Sequence, residues 1–334
     1  MKKCFLVLLF VSSLTFGQQT DFNSFLNDAT FYSDKYISTM SDAAVYQSSS
    51  AWMTSAKKRK LWNVTVGLNS NLFFVPQNDK TFQLSNSDLS FLRIENQNSI
   101  DAQTALGGAA VNYLVGNLQI EFQPGTVTNI PIRVETPKGV DQNVIFHPYL
   151  QAAVSLWYGT EIALKYSTKT KLKKGDYQVY GFGIKHNVSQ YFKGLQEKKI
   201  HLAAMASWSR EDVNFQFLEV TVPFIGSIGI DEIESKVYTR QFQINASKEY
   251  KNWEVLLGVI VNNSDFKYQF TGNESQNVSG LKEILNEKIK EIAKNKTNII
   301  GELSGRYNFK KIFLQPTIAF GKFINTNFSV QYEF

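Results

Sequence analysis

The chain has 334 residues, 35 Lys plus Arg against 29 Asp plus Glu, a mean hydropathy of −0.22 and a single cysteine. The charges are scattered, which excludes the basic tract of a nucleic-acid binder. No run after the N-terminal leader approaches the ~20 apolar residues of a membrane helix, although that criterion is blind to membrane strands.

The chain opens on "MKKCFLVLLFVSSLTFGQQ", with two lysines, an apolar run from Cys4 to Val11, and small residues around Thr15 and Gly17. This is the layout of a cleaved export signal, residues 1–17, cut after Gly17. Removing Lys2 and Lys3 leaves 33 − 29 = +4. Cys4 precedes the apolar run, which makes it a poor acylation site, and the exported chain then has no thiol for a disulfide, a nucleophile or a metal site. Residues 18–60 follow as a separate segment. In "DFNSFLNDATFYSDKYISTM", Phe22, Phe25, Leu26, Ala29, Tyr36, Ile37 and Met40 recur at helical spacing, so Asp21–Met40 is expected to be an amphipathic helix.

After Lys60 the period becomes two. Trp62, Val64, Val66 and Leu68 share one phase, with Asn63, Thr65, Gly67 and Asn69 on the other. The same alternation sets Ile200, Leu202, Ala204, Ala206 and Trp208 against His201, Ser207 and Ser209. It sets Phe242 and Ile244 against Gln241 and Gln243. Such strands have one apolar and one polar face. Their expected length, roughly 9–14 residues, exceeds the ~5–6 of ordinary sheets and suits a tilted crossing of a bilayer. Aromatic residues (Trp62, Phe74, Trp157, Trp208, Trp253, Tyr307) sit at strand ends, as in the girdles of outer-membrane barrels.

Residues 61–334 are therefore expected to form an all-β membrane protein, a closed antiparallel outer-membrane β-barrel with a helical N-terminal plug or hatch. About 12 strands are expected, within a range of 10–14, near 61–75, 103–113, 117–124, 143–156, 160–168, 177–190, 199–213, 236–248, 253–270, 296–308, 312–322 and 326–334. Fourteen result if "TFQLSNSDL" and "FQFLEVTV" also pair. A secreted β-sandwich would have shorter strands and more turn residues. Short connections near Val115–Asn117, Tyr158–Gly159, Lys193–Lys198, Lys251–Asn252 and Lys310–Lys311 alternate with long ones, as between periplasmic turns and extracellular loops. In "GLKEILNEKIKEIAKN", Leu281, Ile284, Leu285, Ile289 and Ile292 form a second helical stripe, best read as packing on the barrel rim.

The last strand, "NFSVQYEF", resembles the outer-membrane β-signal, which implies that Phe328, Val330, Tyr332 and Phe334 are also an address read by the barrel-assembly machinery. Further motifs, Ser50-Ala51-Trp52, Ala56-Lys57, Val75-Pro76 and Gly181–Phe192, look like those of an uncharacterised family of Gram-negative outer-membrane barrels. More distantly, Asp42-Ala43-Ala44 and the segment to Ala51 resemble the long-chain fatty-acid transporter superfamily. That resemblance implies a hatch containing Asp42, Ala51 and Trp52. The sequence departs from it at Ser49-Ser50-Ala51, where that superfamily has Asn-Pro-Ala.

Catalytic motifs are missing from the sequence. Ser55-Ala56-Lys57-Lys58 matches S-x-x-K, but a lysine within "KKRK" is solvated and cannot act as the base. No enzyme, cofactor or metal is expected. The polar phase instead offers Glu121, His147, Glu161, Lys165, Lys185, His201, Glu254, Glu302 and Arg306 as lumen-lining residues, whose plainest role is to cross-link the wall and anchor the plug. The expected function is a plugged outer-membrane transporter or channel for a small hydrophobic molecule or lipid. The alternative is a non-catalytic structural or envelope-organising surface barrel. Its partners would be outer-membrane lipids, the assembly machinery during insertion and the hydrophobic cargo. Residues 18–60 could lie in the lumen or beneath it.

Overall fold

The computed structural model describes residues 16–123, 126–216, 221–222, 226–227, 231–272 and 281–334. Most of the expected leader lies outside them. Ten antiparallel strands close into one barrel: β1 (Val64–Phe74), β2 (Val144–Ser155), β3 (Thr160–Tyr166), β4 (Gly175–Asn187), β5 (Ile200–Gln216), β6 (Glu232–Tyr250), β7 (Trp253–Thr271), β8 (Asn295–Phe309), β9 (Ile312–Phe320) and β10 (Ile324–Glu333). Each pairs with its neighbour in sequence. The seam joins β1 to β10 from Thr65↔Glu333 to Phe73↔Asn325. An eleventh strand, Thr170–Leu172, pairs with β4 outside the barrel.

The count is ten, not twelve. The expected strands 103–113 and 117–124 belong to an insertion, residues 75–143, between β1 and β2. There Thr81–Ser85 pairs with Ser99–Gln103, and Tyr113–Gln123 pairs with Arg93–Ile94 and Thr126–Glu135. Val115–Asn117 is inside a strand and is not a turn. Alternation marks any half-buried antiparallel pair, in lipid or in water, which is why this hairpin read as wall. "TFQLSNSDL" lies in the same insertion. Thr221–Val222, from "FQFLEVTV", pairs with Gly226–Ser227 between β5 and β6.

Outward-facing Val64, Val66, Leu68, Leu72 and Phe74 of β1 are exposed, and their neighbours Thr65, Asn69 and Asn71 are buried inside. An eleven-residue strand such as β1 rises about 33 Å, or about 25 Å at the ~40° tilt usual for such barrels, the height of a lipid-facing band. At the short-turn end Trp62 meets Trp157 edge-on (4.9 Å between centroids), and Trp253 tilts against Tyr307 (4.8 Å). Near the long-loop end Phe182 stacks on Trp208 (5.1 Å).

Beyond that second girdle the faces of β5–β7 exchange character. In β6 the inward face changes from Gln243, Gln241 and Thr239 to Val237 and Ile233, while the outward face changes from Ile244 and Phe242 to Arg240 and Lys236. In β7 inward Asn262 and Ser264 give way to Phe266, Tyr268 and Phe270. Along β5–β7 the interior is therefore largely polar at the level of the apolar band, with Met205, Leu256 and Ile260 as exceptions, and largely apolar above it.

That apolar upper interior is filled by a helix, α1 (Phe16–Ser49), by the insertion, and by a second helix, α2 (Leu281–Ile289). Phe25, Leu26, Tyr36, Ile37 and Met40 of α1 share one core with Leu84, Leu92 and Ile94 of the insertion. Phe215, Phe266 and Phe270 of the wall and Leu285 and Ile289 of α2 complete it. α2 thus packs on the rim as expected, although Ile284 stays half-exposed. Gly139 approaches Gly107 so closely that a Cβ would lie 2.3 Å from a backbone oxygen, so glycine is required there.

Candidate functional site: the plug and the inner wall

α1 runs nine residues past the expected end at Met40, and from Ser41 to Ser50 every residue is buried. Here "SDAAVYQSSS" has no amphipathic face because the helix is enclosed on all sides. Ten strands enclose more space than the eight whose side chains fill a barrel, and far less than a porin. A helix of small residues fits that space.

The helix ends inside the lumen, where its last carbonyls need donors. The wall supplies them. Asn325 donates to the carbonyl of Tyr46 (3.4 Å), Asn71 to Gln47 (3.2 Å) and Gln241 to Ser49 (3.1 Å). Lys165 Nζ reaches the carbonyls of both Ser48 (2.9 Å) and Ser50 (2.8 Å). Its ammonium also lies over the rings of Trp52 (4.5 Å) and Tyr149 (4.7 Å). A cation at a helix C-terminus is favoured by the macrodipole, more so in a buried setting. Ala51 takes φ 57° to end the helix, its N–H donates to Glu302 (2.7 Å), and Trp52 Nε1 folds back onto the Ser48 carbonyl (2.8 Å).

Below this cap the chain continues through the lumen to the short-turn end. Gln151 donates to the carbonyl of Trp52 (2.7 Å), Lys185 to that of Ser55 (3.1 Å) and Asn187 to that of Ala56 (2.7 Å), while Ser55 Oγ donates to Glu254 (2.8 Å). Arg59 pairs with Glu161 (3.0 Å) and Glu333 (3.8 Å), and Arg306 pairs with Glu254 (3.5 Å) and Glu333 (3.6 Å). Lys57 pairs with Glu249 (2.7 Å) at the mouth. At the upper mouth Asp42 of α1 receives Lys296 (2.6 Å) and Lys322 (2.9 Å).

Glu161, Lys165, Lys185, Glu254, Glu302 and Arg306 thus face inward and meet the plug or one another. His147 is buried and lies 3.0 Å from Thr170 Oγ1, while His201 is half-buried at the short-turn mouth, 3.2 Å from Glu249. Asp42, Ala51 and Trp52 all lie in the plug and bond to the wall. Glu121 is a correction: it lies in the hairpin strand Tyr113–Gln123 of the insertion, opposite Val127, and not on the barrel wall. Arg59 was hidden in "KKRK", whose charges read as solvated; its side chain is 4% exposed. Lys58 of the same run is exposed. Glu211, which accepts from Ser209 (2.6 Å) and Thr239 (3.0 Å), was also missed, although it falls on the polar phase.

Phe328, Val330, Tyr332 and Phe334 all face outward on the closing strand, and Phe334 N–H donates to the Val64 carbonyl (2.9 Å). In the insertion, Arg133 donates two 2.9 Å bonds to Glu95, which hold that carboxyl below the ordinary glutamate range.

Fold and interior together define an outer-membrane-type β-barrel closed by its own N-terminal segment. The chain belongs to a family of unknown function, DUF6588, whose model matches residues 1–334. No curated protein matches it. Among solved structures it is similar to the translocator domain of the autotransporter NalP from Neisseria meningitidis (TM-score 0.33, 8% identity, 89% of this chain and 95% of that one). It is also similar to the β-domain of the Bordetella autotransporter BrkA (0.32, 8%, 81% and 98%) and to OmpF of Salmonella typhi (0.21, 8%, 83% and 98%). The likeness to the fatty-acid transporter superfamily has no support in these matches.

Proposed function

We propose that this protein is a non-catalytic outer-membrane barrel that anchors a cell-surface cap and is held shut by its N-terminal segment. The observation that carries this reading is the path of residues 23–59. The first half of α1 belongs to the cap: Asp28 accepts the N–H groups of Ser90, Phe91 and Leu92 (2.7–2.8 Å), and Tyr36 donates to the Lys138 carbonyl (2.8 Å). The helix then ends in mid-lumen, and Lys57 and Arg59 reach Glu249 and Glu333 at the opposite mouth. With short turns in the periplasm and long loops outside, as is usual for such barrels, the N-terminal segment threads the lumen and emerges in the external cap. Many fixed bonds along its length suit a permanent closure.

Transport of a small hydrophobic molecule remains the second reading, because the plug is a separate segment of polar contacts that could leave as a unit. It requires that departure. Between plug and wall, the void lined by Thr54, Thr65, Gly67, Asn69, Gln151, Ala153 and Gln331 is about 10 Å³, room for one water.

Two measurements test the choice. An epitope inserted after exposed Asn96 should be labelled on intact cells, and one between Lys310 and Lys311 only after permeabilisation; the reverse pattern overturns the orientation. The purified barrel should pass neither ions nor lipid in liposomes, and deletion of Gln18–Ala56 should open it. Lipid transfer by the intact protein would favour transport instead.

A further inference from the structure

Where β6 and β7 leave the apolar band, their outer faces set two lysines directly opposite each other, Lys236↔Lys267. Like charges in that position repel across the strands, so their placement calls for a counter-charge. Lys236 has one in Glu234 (2.8 Å), but Lys267 has no ion pair among the described residues and lies over the Tyr238 ring (5.2 Å). Both line a cavity of about 420 Å³ with Glu234, Tyr268, Gln269, Ala293 and a third lysine, Lys290, which pairs with Glu287 (2.6 Å). Counting Glu234 and Glu287 against the three lysines leaves one uncompensated positive charge.

The height of the cavity indicates what it meets. One row towards the girdle, outward Arg210 is held by Asp212 (2.8 Å) and lies near the rings of Tyr180 (5.7 Å) and Tyr238 (5.5 Å). The next row carries Trp208, register partner of Arg240. Four residues of strand separate Lys236 from Arg240, the register partner of Trp208, about 13 Å along the chain and about 10 Å along the membrane normal. That is the outer edge of the headgroup layer above the hydrocarbon core, within reach of a lysine side chain. Resting on the membrane reading above, we propose that this cavity binds a phosphate headgroup of net negative charge, from a lipid in the adjoining leaflet, with Lys267 and Lys236 as its main cationic contacts.

The test uses the full-length protein and a Lys236→Gln/Lys267→Gln variant in vesicles of phosphatidylcholine with or without phosphatidylglycerol. Bound lipid is counted by native mass spectrometry after detergent release. The native protein should retain phosphatidylglycerol over phosphatidylcholine, and the variant should lose about 30-fold in that preference, from about 1 kcal/mol for each lysine. With no anionic lipid present the variant should be at least as heat-resistant as the native protein, because the repelling pair is gone; a purely structural pair of lysines would give the opposite. Inorganic phosphate at equal concentration should not displace the lipid, and full displacement would show a free-anion site and overturn the lipid assignment. Equal retention by variant and native protein, or no preference between the two lipids, also overturns it. Heat-modifiable mobility is read on the same samples. Failure of the native protein to insert would sink the membrane reading as well, whereas insertion without lipid preference sinks only this proposal.

Discussion

Replacing Lys165 with methionine tests whether the helix cap holds the plug. The change keeps an unbranched side chain as far as Cε and removes Nζ with its two charge-assisted bonds, to the carbonyls of Ser48 and Ser50. Such bonds are worth about 1.5–3 kcal/mol each, and part of that is returned because an ammonium no longer has to be buried. The Ser48 carbonyl keeps its bond from Trp52, but the Ser50 carbonyl loses its wall donor. Glu302, bound to Ala51 N–H, loses a nearby buried cation. The net is about 3 kcal/mol against the seated plug, or roughly a 150-fold rise in its open fraction at 1.4 kcal/mol per tenfold. The assay needs one thiol. Cys4 is the only cysteine and lies in the expected leader, so Ser49→Cys gives a unique reporter at a fully buried position. Labelling of that cysteine by a membrane-impermeant maleimide should be very slow with Lys165 present and about two orders of magnitude faster in the Lys165→Met background. Equal rates would refute the claim that this lysine holds the plug.

Arginine at outward Val66 or Ile244 should cost about 2–4 kcal/mol in urea-induced unfolding from vesicles if the residue lies at the bilayer midplane. The inner positions Thr65 and Gln243 are 4% and 0% exposed against the plug, so arginine there should be damaging in the native protein and become tolerated once residues 18–56 are deleted. Replacing Tyr332 and Phe334 with polar residues should leave exported chain outside the membrane fraction by heat-modifiable mobility, because an unclosed seam exposes unpaired strand edges to lipid. Glu333→Gln should insert normally but loosen the plug exit, since Glu333 sits near Arg59 and Arg306; faster proteolysis at Lys57–Lys60 would report it. Asp42→Asn removes the carboxylate charge that receives Lys296 and Lys322 and should lower thermal stability by about 1–2 kcal/mol.

The wall was legible in the sequence because a strand with one apolar and one polar face has a period of two, and ten of the twelve expected strands lie close to where they were expected. The two that failed were 103–113, which is loop from Thr104 to Asn112, and 117–124, most of which alternates because it lies in the hairpin strand Tyr113–Gln123 of the insertion. The helix was legible only while one face was apolar, to Met40. Beyond it, burial on all sides erased the pattern. Among the site residues, inward phase alone identified Lys165, Lys185, Glu161 and Glu302. The plug partners of Lys165, Lys185 and Glu302 were not legible, because they are backbone carbonyls and an N–H, which leave no signature in side-chain sequence, and the Arg59 partner of Glu161 was hidden in a basic run.

One further signal was present in the sequence and carries physical meaning. In β6 the apolar residues occupy the even positions through Phe242 and Ile244 and move to the odd positions at Val237 and Ile233. Ordinarily a phase change of this kind marks a bulge, but the register with β5 and β7 is unbroken across it. The strand has not slipped, so its surroundings must change: apolar outside and polar inside at one level, the reverse at the next. β7 inverts at the paired height, from outward Val259 and Val261 to inward Phe266 and Phe270, and β5 does so between Ser209 and Val213. Three adjacent strands that invert together without a register shift define a plane. Under the membrane reading proposed above, that plane is the boundary between lipid and water, with Trp208 and Phe182 at it, the cap above and the plugged lumen below.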